Sequence, residues 1–239
     1  MKLQTTTALL LLLPFQILIA QIDWENTHYS GIPDVNKKVI FFDDFSDTEI
    51  QWKKSNFEKT TVNIKNNKCN LTANKEDQII WQDLIMDKDG YEVEVRFKSE
   101  KNKKGEPLTL VLAGSKNEFF TFEIRPEGNY AANIVKGDIK ISLLEKNTTV
   151  HIKKDNFNKI MVRAVDQLLY FFINENLVAT HPLPSLNGYR FGVLVSPKNP
   201  VIVDYFIMCD LIKSGRKADI MDISPNIIPT REDKSRYKM

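Results

Sequence analysis

Apolar and polar residues alternate along most of this chain in short runs, and no stretch has the spacing of a long amphipathic helix. The clearest run is residues 91–97, where Tyr91, Val93 and Val95 share one face and two glutamates share the other. A period of two is typical of a half-buried antiparallel strand. Turn residues separate the runs, as in the Pro-Glu-Gly-Asn sequence at residues 126–129, which predicts a tight turn.

Strand candidates of this kind recur through the whole middle of the chain. They are residues 38–42, 60–64, 69–73, 78–85, 91–97, 108–113, 119–125, 130–135, 139–144, 149–152, 159–165, 168–173, 177–180, 190–196 and 201–208. Many short strands separated by turns favour a sandwich or a barrel. We therefore expect one all-β domain over residues 38–210, with an extended lead-in at 21–37 and a charged tail at 211–239.

The N-terminus has the pattern of a secretory signal peptide. Lys2 gives a positive start, residues 8–20 are apolar apart from Gln16, and the small residue Ala20 precedes a polar stretch. The apolar run is shorter than the roughly 20 residues that span a bilayer, and no second run of that length follows. We expect residues 1–20 to be removed, the mature chain to be secreted or periplasmic, and no membrane span to remain. An uncleaved anchor is the alternative.

The bulk composition narrows the class of partner. The 239 residues carry a net charge of +2, which provides no basic field for nucleic acid. Hydrophobic residues make up 42% and charged residues 27%, as in ordinary globular proteins. The two cysteines and three histidines show no zinc-ligand spacing.

A series of segments in the second half of the chain carries a family resemblance. The segments are residues 155–163, 168–174, 177–179, 192–193 and 203–206. Together they resemble the closing half of the concanavalin A-like lectin and glucanase superfamily, and within it the laminin G-like and keto-disaccharide hydrolase-like branches.

The first half of the chain adds to the resemblance through residues 41–47, Trp52 and residues 119–130. The likeness thus covers roughly residues 40–208 and implies an antiparallel jelly-roll β-sandwich. One departure is visible in the hairpin at Asn174, where the family usually places glycine next and this chain has glutamate. Asparagine tolerates left-handed backbone, so we expect the turn to form.

The resemblance implies a binding role, because relatives on this fold recognise glycans. Sugar sites combine an aromatic platform with polar groups that orient hydroxyls. The candidate ligand-binding residues are Trp81, Phe119, Glu123, Arg125 and Tyr130. Alternation along residues 119–125 predicts that Phe120, Phe122 and Ile124 point inward while Phe119, Thr121, Glu123 and Arg125 point outward. Core packing is the alternative for Trp81, which follows an apolar pair.

Glycoside hydrolysis also occurs on this fold and needs two carboxylates. Glu92 and Glu94 share a strand face about 7 Å apart, but the glucanase motif Glu-x-Asp-x-x-Glu has Phe97 at its third position here. A solvated strand face balanced by Arg96 explains the pair better, and we predict no glycosidase activity from it. The sequence thus favours a non-catalytic module for a glycan or a cell-surface partner. A divergent glycoside hydrolase or lyase and a structural protein-interaction domain are the alternatives.

Calcium is the one cofactor for which the sequence offers candidate ligands. Asp43, Asp44 and Asp47 follow the first strand, and Asp204 lies in the last, which often neighbours the first in this superfamily. Calcium binds six to eight oxygens, several of them from carboxylates. Acids that serve only in turns are the alternative reading.

Cys69 and Cys209 are the two cysteines of the chain and are candidates for a disulfide. Export exposes them to an oxidising compartment, and the alternation places both on inward-facing strand positions if Cys209 keeps phase with Val203. Two buried free thiols are the alternative.

Overall fold

The computed structural model describes residues 37–46, 59–83, 90–101, 106–112, 114–115, 118–185 and 190–211. The chain divides into two units, Met1–Ile32, which lies outside the described residues, and Pro33–Met239, which contains every strand given below. The signal peptide prediction, Trp52 and Asp47 therefore also fall outside the described residues. No helix among the described residues is long and apolar enough to cross a membrane.

Fourteen strands make up the described fold, and the all-β prediction is confirmed. They are β1 (Lys37–Asp43), β2 (Thr60–Ile64), β3 (Cys69–Ala73), β4 (Gln78–Asp83), β5 (Gly90–Ser99), β6 (Leu108–Leu112), β7 (Glu118–Arg125), β8 (Asn129–Lys136), β9 (Ile139–Thr148), β10 (Asn158–Val165), β11 (Leu168–Ile173), β12 (Asn176–Pro182), β13 (Arg190–Val195) and β14 (Val201–Leu211).

The strands form two antiparallel sheets. The eight-stranded sheet has the order β12-β11-β10-β5-β14-β3-β2, and β1 pairs with β14 along the edge that β3 also uses. The six-stranded sheet has the order β4-β13-β6-β7-β8-β9. The first and last strands of the described fold are thus neighbours, as the resemblance implies.

Aromatic side chains fill the space between the two sheets. The Phe171 ring on β11 lies 5.0 Å from the Phe122 ring and 5.7 Å from the Phe120 ring, both on β7. Tyr91 on β5 meets Phe191 on β13 edge to face at 6.1 Å. Each of these side chains buries a large apolar area, and aromatic pairs in such geometries contribute about 0.5–1.5 kcal/mol beyond it.

Tight hairpins connect several neighbouring strands of the eight-stranded sheet. At three of them both central residues have positive φ, which is the geometry that matches the twist of two-residue hairpins. The pairs are Asn66 and Asn67, Asp166 and Gln167, and Asn174 and Glu175. The hairpin at Asn174 thus forms without glycine, since Asn174 adopts a φ of 48°.

One predicted strand is wrong. Residues 149–152 form a turn, and β9 ends at Thr148. The backbone N–H of Thr149 donates to the carbonyl of Gly128 at 2.8 Å, and that of His151 donates to the Thr149 hydroxyl at 3.2 Å. The bond to the Thr149 hydroxyl is local and favours a turn over strand pairing, as threonine side chains commonly do.

Candidate functional site

The outer face of the six-stranded sheet carries most of the residues that the sequence suggested for ligand binding. Phe120, Phe122 and Ile124 on β7 are at most 1% exposed and belong to the core, as the alternation predicts. The other members of β7 therefore point away from the core, because successive side chains of a strand alternate between faces. Those residues are Phe119, Thr121, Glu123 and Arg125.

Strand register brings small side chains together in the middle of this face. Gly192 on β13 pairs with Val111 on β6, Val111 pairs with Thr121 on β7, and Thr121 pairs with Asn133 on β8. Thr109 and Ala131 flank Glu123 in the neighbouring row. We call Thr109, Val111, Thr121, Ala131, Asn133 and Gly192 the small-residue floor. All six of these residues are buried.

Trp81 stands at one end of this floor and is opposite in phase to the buried Ile80. It pairs with Gly192 in the strand register, and the Arg190 guanidinium lies 4.6 Å from its ring centroid. The Arg190 Nε also donates to Asp83 at 2.9 Å, which holds the guanidinium in place. Trp81 is therefore partly exposed on the outer face, and the alternative of full core packing does not hold.

A glycine at position 192 is required for this arrangement. A Cβ atom there would lie 1.8 Å from the carbonyl oxygen of Ile80, so β4 could not approach β13 as closely. Only glycine lets two backbones come together in this way. The position of Trp81 thus depends on Gly192.

Glu123 is an acid near the centre of the face, and its side chain is 7% exposed. Its Oε1 lies 3.3 Å from Arg125 Nη2 and 3.5 Å from Lys140 Nζ. A carboxylate that two cations hold in a fixed position presents oriented acceptors and donors together. Such groups orient ligand hydroxyls.

One polar group of the floor has no partner in the described part of the chain. Asn133 is 5% exposed, and its buried Nδ2 makes no hydrogen bond to a described residue. Leaving a buried donor unpaired costs about 1–3 kcal/mol, so most native structures avoid it. Sequence reasoning did not select Asn133, Arg190 or Gly192, because their neighbours come from other strands. The glycine inside a strand pattern was the one local signal of a close backbone approach.

Tyr130 does not belong to this face, which corrects the sequence prediction. It pairs with the core residue Ile124 and is itself 4% exposed, and its ring meets Phe122 edge to face. Residues directly opposite in an antiparallel pair share a face, so Tyr130 points inward. Its hydroxyl donates to the carbonyl of Val178 on β12 at 2.9 Å and links the two sheets.

The aspartates proposed for calcium do not converge in the described part of the chain. Asp204 is bound by Lys68 at 2.5 Å and by Arg96, so two cations occupy its oxygens. Burial opposes its ionisation, but these two contacts outweigh burial and hold the pKa of Asp204 below its ordinary value. Asp43 and Asp44 each accept a backbone N–H two residues later, in the manner of turn acids. No group of three potential metal ligands occurs among the described residues.

The candidate disulfide is not formed in this structure, and the alternative of two buried free thiols holds for Cys69 and Cys209. Cys69 lies in the core and pairs with Val203. A β-bulge between Val203 and Tyr205 reverses the phase of β14, so Cys209 pairs with Glu92 on the other face. Val203, the partner of Cys69, lies six residues from Cys209 along β14, which is roughly 20 Å of strand. A disulfide needs Cα atoms within about 7 Å.

The outer face of the eight-stranded sheet is a network of buried charges, not the solvated face expected for Glu92 and Glu94. Glu92 accepts from Arg163 Nε at 2.7 Å and from Lys37 Nζ at 3.2 Å. Glu94 accepts from the Tyr205 hydroxyl at 2.6 Å and lies 3.3 Å from Lys159 Nζ.

Both glutamates of this network are at most 7% exposed. Burial raises the pKa of Glu94, although Lys159 and Tyr205 stabilise its charged form. The oxygens that a glycosidase would direct at its substrate are therefore bound to the protein's own cations and hydroxyl.

Known structures share this fold. The chain is similar to the carbohydrate recognition domain of Emp47p, with a TM-score of 0.55 and 12% identity over 74% of this chain and 98% of that one. It is also similar to the carbohydrate recognition domain of Emp46p, with a TM-score of 0.52 and 12% identity over 76% and 99%.

An enzyme shares the fold as well. The GlcNAcα1-4Gal-releasing endo-β-galactosidase from Clostridium perfringens matches with a TM-score of 0.53 and 8% identity over 74% of this chain. The chain spans 64% of the length of that galactosidase. No protein-family model matches the sequence, and no curated protein matches it. The fold is thus that of lectin-like jelly-roll domains, which include both binding modules and glycosidases.

Proposed function

We propose that this chain is an exported, non-catalytic glycan-binding domain whose ligand lies across the outer face of the six-stranded sheet. One observation carries the proposal: the buried Nδ2 of Asn133 has no hydrogen-bond partner in the floor, on the same register row as Trp81. A sugar hydroxyl or ring oxygen is the kind of acceptor that would satisfy it. A glycan on a cell-surface protein would serve equally well.

The geometry of the face supports a flat polar ligand with an apolar side. The Trp81 ring offers a surface for the C–H face of a sugar, and Arg190 fixes its orientation from one side. Glu123 and Arg125 supply an acceptor and a donor on the neighbouring strand. An aromatic surface with a few oriented polar groups is the usual composition of small-ligand sites.

The proposal is for binding and not hydrolysis because the carboxylates near the floor in the described part of the chain are already paired. Glu123 is held between Arg125 and Lys140, and Asp83 accepts from Arg190. Glu92 and Glu94 belong to the opposite sheet and are neutralised there. A glycosidase needs two carboxylates that flank the bond it cleaves.

A glycan array followed by calorimetry on the best ligand tests the site. Trp81→Ala should weaken binding more than about tenfold, since truncation of a central tryptophan often costs 2 kcal/mol or more. Asn133→Ala should also weaken binding while leaving the free energy of unfolding unchanged or higher, because it removes an unpaired buried donor. Truncating a residue with a purely structural role would lower the free energy of unfolding along with the affinity for the ligand.

Phe157→Ala is the matched control, since it removes a partly exposed ring near the other sheet. It should leave affinity for a neutral glycan unchanged. Unaltered affinity in both Trp81→Ala and Asn133→Ala would exclude this face as the site. Absence of any ligand on a broad array would contradict glycan binding itself.

Export has its own test. N-terminal sequencing of protein recovered outside the cell should begin near Gln21, because cleavage after Ala20 is expected from the leader pattern. Recovery of the intact chain from Met1 in the membrane fraction would contradict it.

A further inference from the structure

Three cations surround one phenyl ring next to the eight-stranded sheet. Lys98 Nζ lies 4.9 Å from the centroid of the Phe157 ring, the Arg96 guanidinium lies 5.0 Å from it, and Lys68 Nζ lies 5.1 Å from it. We call these four residues the cationic ring. A cation within about 6 Å of an aromatic centroid is attracted to it, by about 0.5–1 kcal/mol at exposed sites.

The cationic ring is assembled from three separate parts of the chain. Arg96 and Lys98 alternate with the core residues Val95 and Phe97 on β5, so they project from the outer face. Lys68 closes the β2–β3 hairpin. The aromatic residue lies in the loop that enters β10.

Hydrogen bonds hold the loop that carries Phe157. The Asn158 side chain accepts from the Lys153 N–H at 2.8 Å and donates to the Lys153 carbonyl at 2.8 Å. The Phe157 N–H donates to Asn156 Oδ1 at 2.8 Å, and Asn174 Nδ2 donates to Asn158 Oδ1 at 2.9 Å. The Phe157 side chain is therefore held in position before any ligand arrives, which lowers the entropy cost of binding.

The positive charge of the cationic ring is only partly neutralised. Asp204, at the β14 bulge, pairs with Lys68 and Arg96 and is the one acid bound to the cluster within the described part of the chain. No described acid pairs with Lys98. Three positive charges thus face one negative charge, and like charges this close repel each other. An anion placed at Lys98 would remove that repulsion.

We infer that the cationic ring is a second binding site, for an anionic sugar unit of an acidic polysaccharide. The Phe157 ring holds the three cations together, and Lys98 and Arg96 offer charged donors for a sulfate ester or a carboxylate. Charge-assisted hydrogen bonds of this kind are about twice as strong as neutral ones. The site is near the sheet opposite the small-residue floor and does not rest on the proposed function.

The size of the patch favours a sugar over a nucleic acid. Nucleic acid affinity at physiological salt comes from neutralising many phosphates along the strand. The chain has a net charge of +2, and this patch has three cations with one acid among them. One or two anionic groups match that number.

Calorimetry on the purified mature chain tests the site with four polymers. Dextran sulfate presents sulfate esters, polygalacturonate presents carboxylates, neutral dextran presents neither, and single-stranded DNA presents phosphates. We expect binding of one or both acidic polysaccharides, weakening as salt rises, and none of neutral dextran at the same concentration. Comparison of the two acidic polymers identifies the preferred anion.

Variants of Lys98 locate the binding. Lys98→Gln should weaken binding of the acidic polymer about tenfold, and Lys98→Arg should retain most of it, since a hydrogen bond to a charged group is worth about 1.5–3 kcal/mol. Phe157→Ala should weaken it as well. Lys146→Gln, which removes the same charge from an exposed position on β9, should have little effect. Trp81→Ala should also leave this binding unchanged, so failure at one site does not imply failure at the other.

Two results would overturn the inference. One is equal binding of the acidic polymers by Lys98→Gln, Lys146→Gln and the unaltered chain, which would indicate attraction by net charge alone. The other is tighter binding of single-stranded DNA than of either acidic polysaccharide, with the same loss in Lys98→Gln. A circular dichroism spectrum and a melting temperature for each variant exclude misfolding as the cause of a loss.

Discussion

On the outer face of the eight-stranded sheet, Glu92 is bound by Arg163 and Lys37. On the outer face of the six-stranded sheet, no described residue forms a hydrogen bond with Asn133 Nδ2. Arg163 Nη1 also has no partner, but its guanidinium lies 5.5 Å from the Phe172 ring centroid and its other two nitrogens bind Glu92. Buried acids that are already paired with cations have a structural role, because removing one partner leaves the other charge buried and unpaired. A buried donor with no partner carries a cost that a ligand can remove.

The presence or absence of partners distinguishes structural from functional polar groups on the two faces of this sandwich. Both faces hold buried acids and cations, so composition alone does not distinguish them. On the charged face, removal of one partner should damage stability. On the small-residue floor, removal of a polar group should damage binding and leave stability intact.

The largest effect is expected from Glu92→Ala. It leaves the Arg163 side chain, which is 5% exposed, buried without its acid. Breaking a buried pair in this way costs about 3–5 kcal/mol, and chemical denaturation should show that loss in the free energy of unfolding. Glu76→Ala is the control, because the Lys59–Glu76 pair is more than 60% exposed on both sides and its loss should leave the free energy of unfolding nearly unchanged. Equal losses of unfolding free energy in the two variants would contradict a stabilising role for the buried Glu92–Arg163 pair.

Gly192→Ala should come next and should affect both stability and binding. The added Cβ meets the Ile80 carbonyl, so β4 must shift and take Trp81 with it. Overpacking of this kind costs about 1–3 kcal/mol, measured by thermal or chemical unfolding, and glycan affinity should fall in parallel. Ser142→Ala, at the exposed end of the same register row, should do neither. A Gly192→Ala protein with unaltered stability and binding would show that β4 approaches β13 less closely.

Glu94→Gln tests the structural role of the charged face through the pH dependence of the unfolding free energy. The folded protein holds a proton on Glu94 more tightly than the unfolded chain, since its pKa is raised above the ordinary value of 4.5. The contribution of Glu94 to stability is therefore fully present below pH 4.5 and is lost as pH rises through the raised pKa.

Glutamine does not titrate, so the difference in unfolding free energy should move in favour of Glu94→Gln as pH rises through that window and then level off. Denaturation at a series of pH values measures it. A difference that moves in favour of the unaltered chain would contradict the assignment. Because Glu94 has no role in the proposed site, glycan affinity should not change.

The smallest effect is expected when the native protein is treated with a reagent that alkylates thiols. Burial raises the pKa of Cys69 and of Cys209 to about 12, so neither is ionised near neutral pH. Alkylation of the native protein at pH 8 should be slow, and denatured, unreduced protein should release two free thiols per chain. A count of zero thiols would restore the disulfide and contradict the strand phase at the β14 bulge.

Much of the fold was predictable from short-range pattern. Alternation assigned Phe120, Phe122 and Ile124 to the core, and the turn residues placed most strand ends within a few positions. The asparagine-rich hairpins were predictable for the same reason, because positive φ is a local property of residues such as Asn66 and Asn174. The candidate site was predictable only in part, through the outward phase of Phe119, Glu123 and Arg125.

Three of the errors have a common cause. Tyr130 was assigned to the ligand face although its pairing with Ile124 fixes it in the core, and Cys209 was assigned the phase of Val203 although a bulge intervenes. Glu92 was expected in solvent because nothing near it in sequence indicates Arg163 or Lys37. Each of these errors concerns pairing between strands, which the alternation along a single strand does not determine.

The sequence by itself determined the class of fold and, within each regular strand, which residues share a face, because the period of two depends only on the local backbone. Tertiary structure decided which strands lie side by side, where β14 changes phase, and which polar groups find partners. Those features depend on register between strands that are up to about 170 residues apart, such as β1 and β14. Contacts at that separation follow from closing the whole sandwich around its core, and for that reason the unpaired amide of Asn133 and the three cations around Phe157 became visible only in the structure.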